Sequence, residues 1–379
     1  MSRIDQVNWL PFRLPYRTVF ATAHGAAALR EGVLLRLEAG GLTGLGEASP
    51  VRAFGGGTAA DALELLAGLA PRLRGLTLEE AEALLVGLPD LPGGAAVACG
   101  LDTALCDLRA RMLGLPLATL LVREAEQLGL GGRLRRAVAV NATVGAADTA
   151  VACGQAGAAA AAGFGCVKLK VGVCPSDGAE LERIAAVRAT LGPDLRLRLD
   201  ANGAWAVEQA IRILRAAARY GLELVEQPVA ADDLAGMALV RARCGVPVAA
   251  DEPVGTPAQA RRVLAADAAD LLVVKPMLAG GQRPALAVAA LARQAGCGAI
   301  VTTTIDSGVG NTAALHLAAA LPPETPACGL ATGALLEADL TLDAPQPQAG
   351  LLALPDAPGL GIALHAADLA RYGSGWRSA

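Results

Sequence analysis

Beyond about Arg133 the chain settles into short apolar runs, each ending in a polar residue and followed by an alanine-rich stretch of helical period. The runs are Ala137–Asn141, Cys166–Lys170, Leu195–Asp200, Glu223–Glu226, Pro247–Asp251, Leu271–Lys275, Ala299–Thr304 and Ala327–Ala331. Five successive runs end at Lys170, Asp200, Glu226, Asp251 and Lys275, at intervals of 30, 26, 25 and 24 residues. A strand plus its following helix needs about that length, and a succession of such units builds a parallel barrel. Eight strands in so short a span predict a closed α/β barrel rather than an open doubly wound sheet. No G-x-G-x-x-G follows the first run, which argues against a dinucleotide-binding fold.

Ahead of the repeat the pattern is α+β. Gly32–Glu38 reads as a strand, Gly40-Gly41 as a turn and Leu42–Ala48 as the returning strand. Helical periodicity covers Thr58–Leu73, Thr77–Val86 and Gly94–Leu113, the last stopping at Gly114. Thr58 can cap its helix, and Thr77-Leu78-Glu79-Glu80 has the capping-box pattern. Two stretches read as loops able to close over a site: Tyr16–Arg30, which contains His24, and Phe54-Gly55-Gly56-Gly57. After Glu337 the repeat stops, and prolines at 345, 347, 355 and 358 punctuate a tail with one more strand, Gly361–Leu364. The expected division is a capping domain (1–130), a barrel (131–336) and a tail returning to the cap (337–379).

Composition narrows the function classes. Of 379 residues, 54% are apolar and the net charge is −4, with no basic block, so nucleic acid is not an expected partner. The first residues lack the charged-then-apolar layout of a secretory signal. Thr149–Val167 is uncharged but made largely of Ala and Gly, which predicts a buried amphipathic helix and no membrane span. Eight cysteines are scattered without a C-x-x-C pair, as reduced thiols are. The expectation is a cytoplasmic protein acting on a small molecule, with room for a homo-oligomer of undefined size.

Lysine usage points to the chemistry. Of 32 basic residues only Lys168, Lys170 and Lys275 are lysines. Arginine holds its proton in proteins, whereas a buried amine can lose one and act as a base. All three lysines lie in strand contexts. Positions 168 and 170 share one face, and two adjacent ammonium groups should lower the pKa of one or both. Asp200, Glu226 and Asp251 end the next three strands at one depth. A single such Asp could be a helix cap, but three in register repel one another unless a cation intervenes. Monodentate carboxylates without histidine suit Mg²⁺ rather than zinc. With Lys275 approaching from the opposite side, the layout suits proton abstraction beside a carboxylate.

Lys-x-Lys, then Asp, Glu, Asp and Lys on successive strands resembles the enolase superfamily, in its muconate-lactonising subgroup. The resemblance implies a modified TIM-type barrel with an α+β cap, Mg²⁺ (or Mn²⁺ in its place) at Asp200, Glu226 and Asp251, and acid/base lysines at 170 and 275. It gives Lys168 the substrate carboxylate. None of His24, His316 or His365 falls after the seventh strand, where mandelate-racemase-like members carry a catalytic histidine. The eighth strand has Cys328-Gly329-Leu330-Ala331-Thr332-Gly333 instead of the Asp-x-Asp of dipeptide epimerases. With Thr302–Ser307 and Arg30-Glu31-Gly32, that stretch is similar to the o-succinylbenzoate synthases, implying dehydration of a cyclohexadiene carboxylate. Pro253 after Asp251-Glu252 departs from the small residue expected there. Candidate substrate contacts are Asn202, Thr304, Ser307 and His24. Racemase, epimerase or cycloisomerase chemistry on the same scaffold stays open, and a Schiff-base aldolase using Lys275 is a more distant reading. Arg196 and Arg198 share parity with Asp200 and should face the barrel interior, with Glu223, Asp251 or Glu252 as partners. His316, in Ala-Ala-Leu-His-Leu-Ala, reads as a helix-packing histidine.

Overall fold

A computed structural model of the chain describes residues 2–22 and 25–379. The first part is a three-stranded meander, β1 (Ile4–Thr22), β2 (Gly25–Ala39) and β3 (Leu42–Ala48), antiparallel throughout. One face of it packs on the helix Gly94–Met112. Gly44 and Gly46 permit that approach, because a Cβ on either would lie within 2.2 Å of a helix carbonyl oxygen. Helices Ala59–Leu73 and Leu78–Ala83 each begin with a capping box, Thr58 with Asp61 and Thr77 with Glu80. Ile4, Val7, Leu35, Leu66, Leu101 and Leu105 fill the resulting core.

The expected loop at Tyr16–Arg30 is a correction. Its described residues continue β1 and β2 as the arms of a long hairpin, with Phe20 opposite Ala27 after a register shift. Extended pairing there is a tertiary outcome that the alanine-rich run Gly25–Ala28 does not announce. His24 lies outside the described residues.

The second part is the barrel. After β4 (Ala137–Ala139), seven parallel strands follow in spatial as well as sequence order. They are β5 (Ala142–Val144), β6 (Cys166–Lys170), β7 (Arg196–Asp200), β8 (Leu222–Glu226), β9 (Val248–Ala250), β10 (Leu271–Val274) and β11 (Gly298–Val301). Two expected strands differ. Ala137–Ala139 pairs antiparallel with β12 (Leu351–Ala353) in a separate ribbon, and Ala142–Val144 takes the first barrel position. Ala327–Ala331 is reduced to single bridges, Cys328 to Val140 and Gly329 to Thr302, which close the ring between β11 and the start. Glycine at 329 permits this close approach, since a Cβ there would press into Thr302.

Side-chain alternation fixes what faces inward. Leu224, Ala249, Val273 and Ile300 form a small apolar plug inside the barrel. Leu169, Leu197, Leu199, Val225, Val248 and Leu272 face the surrounding helices and are almost wholly buried. Each such side chain contributes about 1.5–3 kcal/mol on burial. Thr149–Ala161 is a helix buried along Ala152, Ala156 and Ala159, and no helix among the described residues is long and apolar enough to cross a membrane. In the tail, β13 (Arg377–Ser378) pairs with β1.

Candidate active site

The inward parity that produces the plug places one more layer above it, at the strand ends. Lys170, Asp200 and Glu226 are register partners across β6, β7 and β8, while Asp251 and Lys275 follow the last residues of β9 and β10. Local turns hold this layer. Asn202 and Gln227 both take left-handed backbone conformations, with φ of 44° and 40°. Gln227 uses its side-chain carbonyl to accept the Asp251 N–H at 3.0 Å, so the turn after Glu226 fixes the next carboxylate.

Ammonium groups stand between the acids. Lys168 Nζ is 2.8 Å from both Asp200 Oδ2 and Glu226 Oε1. Lys170 Nζ donates to Asp200 Oδ2 and to Asn202 Oδ1, both at 2.6 Å, and Lys275 Nζ donates to Asp251. Burial alone would pull the Lys168 amine down, but Asp200 and Glu226 outweigh it and hold that amine above the usual lysine range. The expected depression of paired lysines therefore does not apply to Lys168, because its nearest charges are carboxylates rather than Lys170. Burial works against an ionised Asp200 too, yet Lys168 and Lys170 keep its carboxyl well below the usual range. Glu226, buried beside Asp200 and Asp251, is pushed up to about 7.

This layer can accept a divalent cation. Asp200, Glu226, Asp251 and Glu252 are four carboxyl groups against three lysines, so the floor is short of positive charge. The raised Glu226 and the buried Glu252 Oε2, which has no hydrogen-bond partner, both express that deficit. An oxygen-only donor set short of positive charge fits a hard cation such as Mg²⁺. Among the described residues no three His, Cys, Asp or Glu side chains converge on one point as ligands do; lysine nitrogens separate them.

Above the floor is a cavity of about 520 Å³, roofed by the cap and walled by the barrel loops. Tyr16, Leu29, Val51 and Phe54 come from the cap, and Ile305 and Leu335 from the barrel side. The Phe54 ring lies over Lys275 Nζ. Asn141, Thr143, Thr302, Thr303, Gly329 and Thr332 line the wall where the barrel closes. Outside the floor, the lining carboxylate is Glu31, which pairs with Arg13 at 2.8 Å.

Cap and barrel are bolted together beside this cavity. Arg30 is buried and donates to the carbonyls of Ser49, Pro50 and Ile305 and to Thr304 Oγ1. It also faces Asp306 at 3.4 Å. Burial and the neighbouring Glu47 push Asp306 up to about 6, with Arg30 pulling the other way. Ile305 is β-branched yet has φ of 63°, a strained conformation that these contacts hold in place.

The remaining expected residues are distributed as follows. Asn202 lines the cavity with its amide engaged by Lys170 and Glu252. Thr304 lines it with its hydroxyl on Asp306. Ser307 is fully buried outside the lining, donating to Glu47 at 2.5 Å and capping the helix Gly308–Ala320. Glu223, one of three expected partners, pairs with Arg198 at 2.5 Å and Arg196 at 3.4 Å, with Arg196 largely exposed. His316 is buried between Ala118 N–H and the Leu360 carbonyl, and all eight cysteines are free thiols. Phe54, Arg30 and Glu252 carry no site role in the sequence reading, although Phe54 falls in an expected closing loop, Arg30 in the Arg30-Glu31-Gly32 stretch, and Glu252 directly after an expected metal ligand.

Comparison with known proteins agrees with this architecture. Residues 4–122 match the mandelate racemase / muconate lactonizing enzyme N-terminal domain, and residues 152–368 match the enolase C-terminal domain-like family. Over 232 residues the chain is 42% identical to an o-succinylbenzoate synthase from Thermobifida fusca, covering 60% of this chain and 70% of that protein. It is 33% identical over 359 residues to an L-Ala-D/L-Glu epimerase from Bacillus subtilis, covering 93% of each. A dipeptide epimerase from Enterococcus faecalis, solved with Mg and the dipeptide L-Leu-L-Tyr, superposes with a TM-score of 0.85 at 29% identity. That match covers 96% of this chain and all of the other.

Proposed function

The chain belongs to the mandelate racemase / muconate lactonizing enzyme family of the enolase superfamily, and on that premise we propose that it is a Mg²⁺-dependent o-succinylbenzoate synthase. The reaction is dehydration of 2-succinyl-6-hydroxy-2,4-cyclohexadiene-1-carboxylate (SHCHC), a step of menaquinone or phylloquinone biosynthesis. The observation carrying this choice is the wall where the barrel closes. The eighth-strand segment offers Gly329 and Thr332 to the cavity and no carboxylate for a substrate amine. The similarity to the Thermobifida synthase supports the same choice.

Asp200, Glu226 and Asp251 would hold the cation, which when bound supplies positive charge to the substrate carboxylate as its α-proton becomes acidic. Lys168, held protonated by its two acids, anchors that carboxylate. Lys170 is the base: its side chain is 28% exposed towards the cavity, while Asn202 and Asp200 fix its nitrogen. Lys170 takes the α-proton and, in a syn-elimination, returns it to the hydroxyl leaving from the same face, so that water departs and an aromatic ring remains. Lys275 faces the ring from the opposite side, an ammonium already seated against an aromatic face at Phe54. The apolar cap residues exclude water from the reacting carbon.

The test is incubation with SHCHC, with and without Mg²⁺, following the ultraviolet absorbance of the aromatic product. Turnover only with the cation supports the reading. No turnover, together with racemisation of N-acyl amino acids, overturns it. That second outcome would follow from an isomerase reading, favoured by the Bacillus epimerase match, which spans far more of the chain.

A further inference from the structure

Asn202 is held at both ends of its amide, and its orientation is forced by charge. Oδ1 accepts from Lys170 Nζ at 2.6 Å and Nδ2 donates to Glu252 Oε1 at 3.0 Å. Reversal would point an N–H at an ammonium and a carbonyl at a carboxylate. The backbone of Asn202 is pinned as well: its left-handed turn places its N–H on Asp200 Oδ1 at 3.2 Å. Asn adopts this conformation more readily than other residues bearing a side chain.

Glu252 itself has a poor environment for a carboxylate. Oε1 has the Asn202 amide, and Oε2 is buried without a hydrogen-bond partner among the described residues. A buried acid with one partner is not a device for stability. From this geometry we infer that Glu252 is a positioning residue for Lys170, acting through Asn202. The carboxylate locks the amide, and the amide carbonyl, with Asp200, takes up two N–H bonds of the lysine nitrogen, which leaves the lone pair of the neutral Lys170 amine for the substrate C–H. The inference rests on Lys170 being the base, as proposed above.

Because lysine occurs at only three positions, ¹³Cε-lysine labelling gives a three-signal spectrum that reads Lys170 directly and needs no substrate. In Mg²⁺ buffer, Glu252→Met should raise the side-chain mobility of Lys170 and leave the Lys168 and Lys275 signals in place. In parallel, the rate of α-proton exchange on whichever carboxylate the enzyme turns over should fall about 10- to 100-fold with KM within about twofold. Glu252→Gln, whose side-chain carbonyl can still accept the Asn202 amide, should keep the rate within about threefold of the wild type. In an Asn202→Ala background, Glu252→Met should have no further effect, since the two act in series. Equal losses in both backgrounds, an unchanged Lys170 signal, or a Glu252→Gln variant as slow as Asn202→Ala would each overturn the inference. Should Glu252→Met not fold, Glu252→Gln and Asn202→Ala carry the test alone. Failure of the dehydratase reading would leave the lysine spectra unaffected, so the two are separable.

Discussion

The Nζ of Lys275 lies 3.9 Å from the centre of the Phe54 ring, a contact made across the boundary between cap and barrel. A desolvated cation–π contact contributes about 1–2 kcal/mol. Phe54→Leu keeps most of the apolar volume and removes the ring face, so kcat/KM on SHCHC should fall about 5- to 30-fold. Steady-state kinetics will show it; an unchanged value would make the contact incidental to turnover.

Lys170→Ala should lower turnover by at least about 100-fold, the lower range of a general-base contribution, while the circular dichroism melt stays that of a folded protein. Lys170→Arg should be nearly as slow, because a guanidinium does not give up its proton. Retention of more than about a hundredth of the rate would place the base elsewhere.

EDTA should abolish activity, and Mg²⁺ or Mn²⁺ should restore it. Titration calorimetry should detect one cation per chain in the wild type and none in Asp200→Asn at millimolar Mg²⁺. Activity surviving EDTA, with borohydride inactivation in the presence of a carbonyl substrate, would instead favour the Schiff-base reading.

His316 is fully buried, and burial pushes its imidazole down to about 4. In the fold Nδ1 accepts the Ala118 N–H, so the ring is neutral with its proton on Nε2 towards Leu360. The unfolded chain takes up a proton below about 6.5 and the folded one only near 4. Stability associated with this residue is therefore complete above about pH 6.5 and lost as pH falls towards 4, by about 3 kcal/mol. Asp306, raised to about 6, works in the opposite direction over the same window. The check is thus a difference: urea melts of wild type and His316→Gln from pH 4 to 7.5 should converge as pH falls.

Arg30→Met should destabilise the protein by about 3–5 kcal/mol, the cost of leaving a buried charge unpaired, here Asp306. Arg30→Met with Asp306→Asn should recover part of that loss. Thermal and urea unfolding will measure both.

The barrel was readable because its information is local. Each strand carries its own apolar run, and a parity argument puts Lys168, Lys170, Asp200 and Glu226 on one face without any knowledge of their neighbours. The capping boxes at Thr58 and Thr77 were readable for the same reason. The first and eighth barrel positions were not, since Ala137–Ala139 and Ala142–Val144 have similar composition and the choice falls to a tail strand more than 200 residues away. Likewise, the hairpin arm at Gly25–Arg30 exists by pairing, and the partners of Arg30 are contributed from two domains. Like-charge repulsion alone mispredicts the charge state of Lys168, because the acids it bridges come from two other strands.

The strand β1 is 19 residues long, and β2 covers only one of its edges. The other edge is met by Gly75 and Leu76 at Ile4 and, beyond that, piecemeal by Leu336, Gly373, Arg377 and Ser378. On a ribosome, Leu336, Gly373, Arg377 and Ser378 follow their β1 partners by more than 300 residues. At about 5–20 residues per second, its open edge waits on the order of tens of seconds for cover. During that interval a nascent chain carries an exposed template for pairing with another chain. Crowding of translating ribosomes, rather than weakness of the finished fold, would then limit the yield of soluble protein.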